Sequence, residues 1–171
     1  MQRTLIVGGI TLLFLLTSVI PFTSGYENNS NNSIQNMIDN ADDGDTIYIS
    51  SGIYYEHIVV DKQLSIIGEG SDTTIVDGMG LDEHIFNIVS DNVDISGFTI
   101  MNCSIGFSGV RVNNNSCSIH HNIFRFCGGG VELWNVADVV IHNNTIEDNT
   151  WGVYVHSSMD CCINDNILYI P

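Results

Sequence analysis

Residues that can do chemistry recur in this sequence at intervals of a little over twenty positions. His120 is followed by His142 after 22 positions, and Arg111 is followed by Glu132 after 21. Imidazoles are ligands for Cu²⁺ and Zn²⁺, and a guanidinium paired with a carboxylate binds polar ligand groups. Each pair can act as a unit only if the fold brings its members together, so the spacing itself needs an explanation.

The spacing belongs to a repeat of whole segments. Four similar hexads begin at Ile95, Ile119, Ile141 and Ile163, in steps of 24, 22 and 22 positions. A second series keeps nearly the same steps and consists of Ile88, Val112, Leu133 and Val155. Because the two series shift together, the sequence indicates repeated structural units rather than scattered apolar residues.

Within each unit, apolar and polar residues alternate, as in Val131-Glu132-Leu133 and Val153-Tyr154-Val155. Alternation of this kind is typical of short strands, here separated by Gly or Asn turns. A unit of about 22 residues then corresponds to one coil of a solenoid, with coils stacked about 4.8 Å apart. The sequence therefore predicts an all-β, single-stranded right-handed parallel β-helix over residues 34–171, with a short N-terminal capping helix.

Stacked coils place equivalent residues in columns. Asn122, Asn144 and Asn166 each follow a marker isoleucine by three positions, which predicts a ladder of hydrogen-bonded amides at a left-handed corner. Cys103 and Cys127 each follow a marker by eight positions, so neighbouring coils should bring them within reach of a disulfide. Two further cysteines, Cys117 and Cys161, are two coils apart and are interpreted as buried thiols.

Two outward columns are the candidate binding surface, and they consist of Arg111, Glu132 and Tyr154 beside Trp134 and His156. One interpretation is an exposed ion pair worth about 0–1 kcal/mol. The other is a sugar platform in which Trp134 and Tyr154 stack on pyranose rings while Arg111 and Glu132 bind hydroxyl or carboxylate groups. The histidine column has two interpretations as well, a solvated polar face or a pair of metal ligands.

Composition and the N-terminal segment restrict the partners. The net charge of −16 argues against nucleic acid, which needs basic contacts. Residues 1–25 carry one arginine followed by an apolar run and predict an export signal, and residues 26–33 form a polar linker. We therefore expect a secreted or cell-surface protein that contacts a membrane only through the N-terminal segment, if that segment is not removed.

Three motifs near the start resemble the opening of the pectin-lyase-like right-handed β-helix proteins, namely Gly44-Asp-Thr-Ile47, Gly52-Ile-Tyr-Tyr-Glu56 and Ile66-Ile-Gly68. The later coils resemble the β-helix repeats of NosD-like periplasmic proteins and of surface proteins. The strand-like run before Pro171 ends without a cap, so the β-helix is also interpreted as a possible part of a longer one.

The resemblance implies three classes of function. The first is a module that binds polysaccharide or another surface partner, and it is the interpretation we favour because no secure catalytic set is evident. The second is a carbohydrate-active lyase, hydrolase or epimerase, of which a lyase would hold Ca²⁺ through clustered acids. The third is a NosD-like protein that handles copper.

Overall fold

The computed structural model describes residues 33–169. The predicted export signal and all of the predicted linker except its last residue lie outside the described residues. The described part of the chain contains one short helix, α1 (Ile34–Asn40), followed by 17 strands. No helix within residues 33–169 combines the length and the apolar character that a membrane crossing requires.

Every strand pairs in parallel with the strand three positions away in chain order, so the chain winds through three sheets. Sheet 1 contains β1 (Thr46–Ile49), β4 (Ser65–Gly68), β7 (Asp94–Ser96), β10 (Ser118–His120), β13 (Val140–His142) and β16 (Cys162–Asn164). Sheet 2 contains β2 (Gly52–Tyr54), β5 (Thr74–Asp77), β8 (Thr99–Met101), β11 (Ile123–Arg125), β14 (Thr145–Glu147) and β17 (Ile167–Tyr169). Sheet 3 contains β3 (Ile58–Val60), β6 (Phe86–Ile88), β9 (Ser108–Val112), β12 (Gly129–Trp134) and β15 (Trp151–His156).

The strand register confirms the repeat that the sequence predicts. Ile119 pairs with Ile95 on one side and with Ile141 on the other, and Ile141 pairs with Ile163. Leu133 likewise pairs with Val112 and with Val155 in sheet 3. The predicted parallel β-helix is therefore confirmed, and residues at equivalent repeat positions are spatial neighbours.

The interior is a stack of apolar side chains contributed by all three sheets. Ile95, Ile119 and Ile141 are completely buried, and Phe98 and Phe124 fill the space beside them. Burying a side chain of this size contributes about 1.5–3 kcal/mol, so each inner coil stabilises the coils on either side of it. Within residues 33–169, the last coil has a neighbouring coil on one side only, and its marker Ile163 is 44% exposed.

The helix α1 closes the other end of the stack. Its side chains Ile34 and Ile38 are fully buried, and Ser33 caps it by accepting a hydrogen bond from the Asn36 amide. The carboxylate of Glu56 accepts hydrogen bonds from the backbone N–H groups of Ile34 and Gln35. An anion at this position satisfies helix donors that have no partner within the helix.

Two long side chains complete this closure. Lys62 donates to three carbonyl oxygens at the C-terminal end of α1, those of Ile38, Asp39 and Ala41. The side-chain amide of Gln35 accepts from the N–H of Val59 and donates to its carbonyl oxygen. Gln35 thus supplies the hydrogen bonds that a preceding strand would give to β3, which protects an edge strand.

The predicted asparagine ladder forms, but the prediction that the asparagines themselves adopt the left-handed conformation was wrong. Asn122 accepts from the N–H of Phe98, Asn144 accepts from that of Asn122, and Asn166 accepts from that of Asn144. The left-handed residues are the ones just before, His121, Asn143 and Asp165. The preceding residue makes the turn, which leaves each ladder side chain directed inward, where its oxygen meets the next amide.

A second column joins neighbouring coils at the corner that follows sheet 2. The structure links Cys103 and Cys127 by a disulfide, with their Cα atoms 4.6 Å apart. One coil later the same position holds Asn149, whose side-chain oxygen accepts from the N–H of Cys127. Cys117 is buried as predicted, whereas Cys161 is partly exposed because it lies in the last described coil.

Candidate functional site

Two outer surfaces carry the chemistry-bearing side chains. The first is the histidine corner, formed by His120, His121 and His142 together with Asp94. Strand pairing places His142 directly beside His120, and the left-handed turn at His121 directs its ring back towards both. The predicted column is confirmed, since Ser96 precedes the histidines and Asn164 follows them.

The rings in the histidine corner make close contacts. The Nδ1 atoms of His120 and His121 are 2.8 Å apart, so one ring donates an N–H hydrogen bond to the other. The rings of His120 and His142 stack with their centroids 4.9 Å apart and an angle of 16° between their planes. On its other side, Nε2 of His120 lies 2.9 Å from Oδ1 of Asp94.

Burial favours the neutral form of the central ring. Burial lowers the pKa of His120, and the charge of the Asp94 carboxylate opposes this shift. The neighbouring His142 and His121 lower the pKa further, because two like charges at this distance repel each other. A neutral imidazole has one free nitrogen lone pair, which is the form that binds a metal ion.

The Nδ1 atoms of His120 and His121 are the candidate copper ligands. Two nitrogens that bind one ion at right angles, each at about 2.0 Å, are about 2.8 Å apart. The two Nδ1 atoms have this separation through the hydrogen bond that joins the rings, so a bound ion would take the place of the shared proton. Within residues 33–169, no group of three or more His, Cys, Asp or Glu side chains is arranged to hold a metal ion. Since stacked rings direct their nitrogens along parallel planes, His142 would have to rotate to add a third nitrogen.

The second surface is the sheet-3 cluster, formed by His84, Arg111, Glu132, Trp134 and His156. The predicted columns are present, because Glu132 pairs with Arg111 and Tyr154 and Trp134 pairs with His156. Arg111 and Glu132 form the predicted ion pair, with Nη1 of Arg111 3.8 Å from Oε1 of Glu132. The expectation that this pair is exposed was wrong, since Glu132 is only 8% exposed. Its side chain points outward from β12, and the surrounding bulky side chains shield it from solvent.

The aromatic side chains of this surface stack on one another. The ring of Trp134 lies against His156, with centroids 4.0 Å apart and planes 17° from parallel, and Arg111 lies over the indole at 5.2 Å. Neighbours on both adjacent coils therefore contact Trp134. Tyr154 remains 44% exposed. Stacking of a pyranose on the indole face, as predicted for Trp134, would require these neighbours to move, and sugar binding here stays a prediction.

Sequence reasoning missed His84 and Asp94. His84 precedes β6 outside the repeat, so neither spacing series includes it, and only the structure places it beside Arg111 and Glu132. Asp94 pairs with Ser118, two positions before His120, so it lies diagonally across from the histidine on the neighbouring strand. Its carboxylate reaches the His120 ring across this diagonal. A search for acidic residues one coil away from each histidine and two positions along the strand would have found Asp94 in the sequence.

Comparison with known proteins identifies one family. Residues 38–169 match the family model described as "Periplasmic copper-binding protein (NosD)". Searches of the curated proteins and of the solved structures gave no match. The matched segment covers the last residues of α1 and every strand from β1 to β17.

Proposed function

The chain belongs to the NosD family of periplasmic copper-binding proteins, and from this premise we propose that it binds Cu²⁺ at the histidine corner, outside the cytoplasm. The observation that carries the proposal is the 2.8 Å separation of the Nδ1 atoms of His120 and His121. Imidazole nitrogen suits Cu²⁺, which binds nitrogen sites more tightly than the other divalent ions of its row.

Each residue of the histidine corner has a distinct part in this proposal. His120 and His121 would supply nitrogen donors, and Asp94 would hold the His120 ring from its Nε2 side, as carboxylates commonly do for metal-binding histidines. His142 would shield the site and add a donor on rotation. A bound copper ion would supply charge and redox capacity, and the chain's own part is to bind and orient it.

Titration of the purified protein with Cu²⁺ tests the proposal. We expect one ion per chain, with nitrogen hyperfine coupling in the electron paramagnetic resonance spectrum. Replacing His120 or His121 by Gln should weaken binding by about tenfold or more. His156→Gln is the matched control, because it removes an imidazole from sheet 3 and should leave copper affinity unchanged.

Two results would contradict the proposal. One is a wild-type protein that binds no Cu²⁺ under conditions where the fold is intact by circular dichroism. The other is binding that His120→Gln and His121→Gln leave unchanged, which would place the metal on other groups.

The polysaccharide interpretation is the second candidate function, and it applies to the sheet-3 cluster rather than to the histidine corner. What favours it is Glu132, an outward-pointing carboxylate shielded by its neighbours on sheet 3. Exposed acids on a protein of net charge −16 are ordinary, whereas a shielded one needs partners for its charge.

A further inference from the structure

The carboxylate of Glu132 in the sheet-3 cluster lies slightly too far from its charged and polar neighbours for hydrogen bonds. Oε1 of Glu132 lies 3.8 Å from Nη1 of Arg111, and Oε2 lies 3.8 Å from Nε2 of His84. Both distances exceed hydrogen-bonding range. Within residues 33–169 no group donates a hydrogen bond to Glu132, although its side chain is about nine-tenths buried.

The tautomer of His84 follows from its contacts. The backbone N–H of Ser108 donates to Nδ1 at 3.0 Å, so Nδ1 carries no proton and the neutral ring carries it on Nε2. Burial lowers the pKa of His84, while the charge of Glu132 opposes the shift. The cluster therefore presents a neutral N–H on one side of the carboxylate and a guanidinium on the other.

Arg111 is held in place by other contacts. Its Nε donates to Oδ1 of Asn113 at 3.0 Å, and its guanidinium lies over the indole of Trp134. Nη1 also lies 3.3 Å from Nε2 of His84, a contact between two donors that forms no hydrogen bond when the ring carries its proton there. Arg111 and His84 thus both retain N–H groups for an acceptor near Glu132.

We propose that the sheet-3 cluster binds a vicinal diol, with one hydroxyl between Glu132 and His84 and the other between Glu132 and Arg111. An oxygen about 2.8 Å from both atoms of a 3.8 Å pair bridges them from one side, about 2 Å from the line that joins them. Each hydroxyl would donate to one carboxylate oxygen and accept from the facing N–H group. Adjacent carboxylate oxygens accept the two hydroxyls of neighbouring carbons side by side, and this arrangement specifies neutral polyols and sugars as the ligand class.

This site is independent of the proposed copper site. The histidine corner lies on sheet 1 and the diol site on sheet 3, so the failure of either proposal leaves the other standing. Trp134 has a subordinate part here, because its ring supports Arg111 rather than offering a free face to the sugar.

The test uses dextran as the probe and removes its diols chemically. Periodate cleaves bonds between adjacent hydroxyl-bearing carbons, and borohydride reduction then leaves a polymer without vicinal diols. We expect intact dextran to bind, treated dextran not to bind, and Glu132→Gln to weaken binding about tenfold or more, because the charged acceptor is lost. Glu147→Gln on sheet 2 is the matched control and should bind like wild type.

A measurement on the wild-type protein covers the case in which Glu132→Gln does not fold. The ¹⁵N resonance of His84 Nε2 should shift on addition of intact dextran and not on addition of the treated polymer. The proposal is overturned if the two polymers bind alike, if neither perturbs His84, or if a correctly folded Glu132→Gln protein binds as wild type does.

Discussion

The two ends of the described β-helix are built differently from the same repeat. At the N-terminal end, α1 buries Ile34 and Ile38 completely, while Gln35 supplies hydrogen bonds to the edge strand β3. In the last described coil, Ile163 and Leu168 are 44% and 47% exposed. Since Ile119 and Ile141 occupy the same repeat position as Ile163 and are fully buried, burial here depends on the neighbouring coil and not on the position within a strand.

The largest expected effect comes from truncating a marker isoleucine in an inner coil and comparing it with the same truncation in the last described coil. Ile119→Ala should lower the free energy of unfolding by about 2–5 kcal/mol, because it leaves a cavity between two covering coils. Ile163→Ala should cost about 1 kcal/mol, because its side chain is already partly in water. Urea denaturation of both variants measures the difference, and equal losses would show that a further layer covers the last coil in solution.

The ladder gives a second matched pair. Asn144→Leu should cost about 1–3 kcal/mol, because it removes the acceptor for the Asn122 amide and the donor to the Ile119 carbonyl. Asn166→Leu should cost less, since Asn166 is only half-buried and bonds to one neighbouring coil. Thermal melts of the two variants provide the comparison. A larger loss for Asn166→Leu than for Asn144→Leu would contradict it.

The closed end can be weakened by itself. Glu56→Gln keeps the shape of the side chain but removes the charge at the N-terminus of α1, and should cost about 0.5–2 kcal/mol. Hydrogen exchange should then increase in α1 and β3 while β13 and β14 keep their protection. Loss of protection throughout the chain would instead indicate that the cap and the inner coils unfold as one unit.

The smallest effect concerns reactivity rather than stability. Burial raises the pKa of the Cys117 thiol to about 11, so very little thiolate forms at pH 8. Cys162 is exposed in the last coil. Iodoacetamide should therefore modify Cys162 on the order of a hundredfold faster than Cys117 in the native protein, and mass spectrometry of timed samples shows which is modified first. Similar rates for both would mean that the inner coils open readily.

The fold was predictable because repetition multiplies a weak signal. A single hexad such as the one at Ile119 has several interpretations, but four hexads at matching steps allow only a stacked arrangement. The same logic found the ladder and the pairing of Cys103 with Cys127, since both depend on position within a coil. It failed for the last coil, because periodicity identifies the inward position of Cys161 and not whether another coil covers it.

The candidate sites were less predictable because they depend on residues outside the columns. Glu132 follows the alternation of an outward residue, but it lies beside His84, which comes from an irregular segment before β6. The left-handed turn at His121 directs a ring that a pure strand pattern would place elsewhere. Spacing thus predicted which residues are neighbours, whereas the contacts between their polar atoms required the structure.

The asparagine ladder also bears on how such a protein can change in size during evolution. Because Asn144 is bonded in the same way to the coil before it and to the coil after it, a tandem duplication of one 22-residue unit would meet matching partners at both of its junctions. The rod would lengthen by one coil spacing, about 4.8 Å, with its existing columns unchanged. Gene duplication can therefore add fresh outer surface, on which new binding residues can arise without disturbing the core.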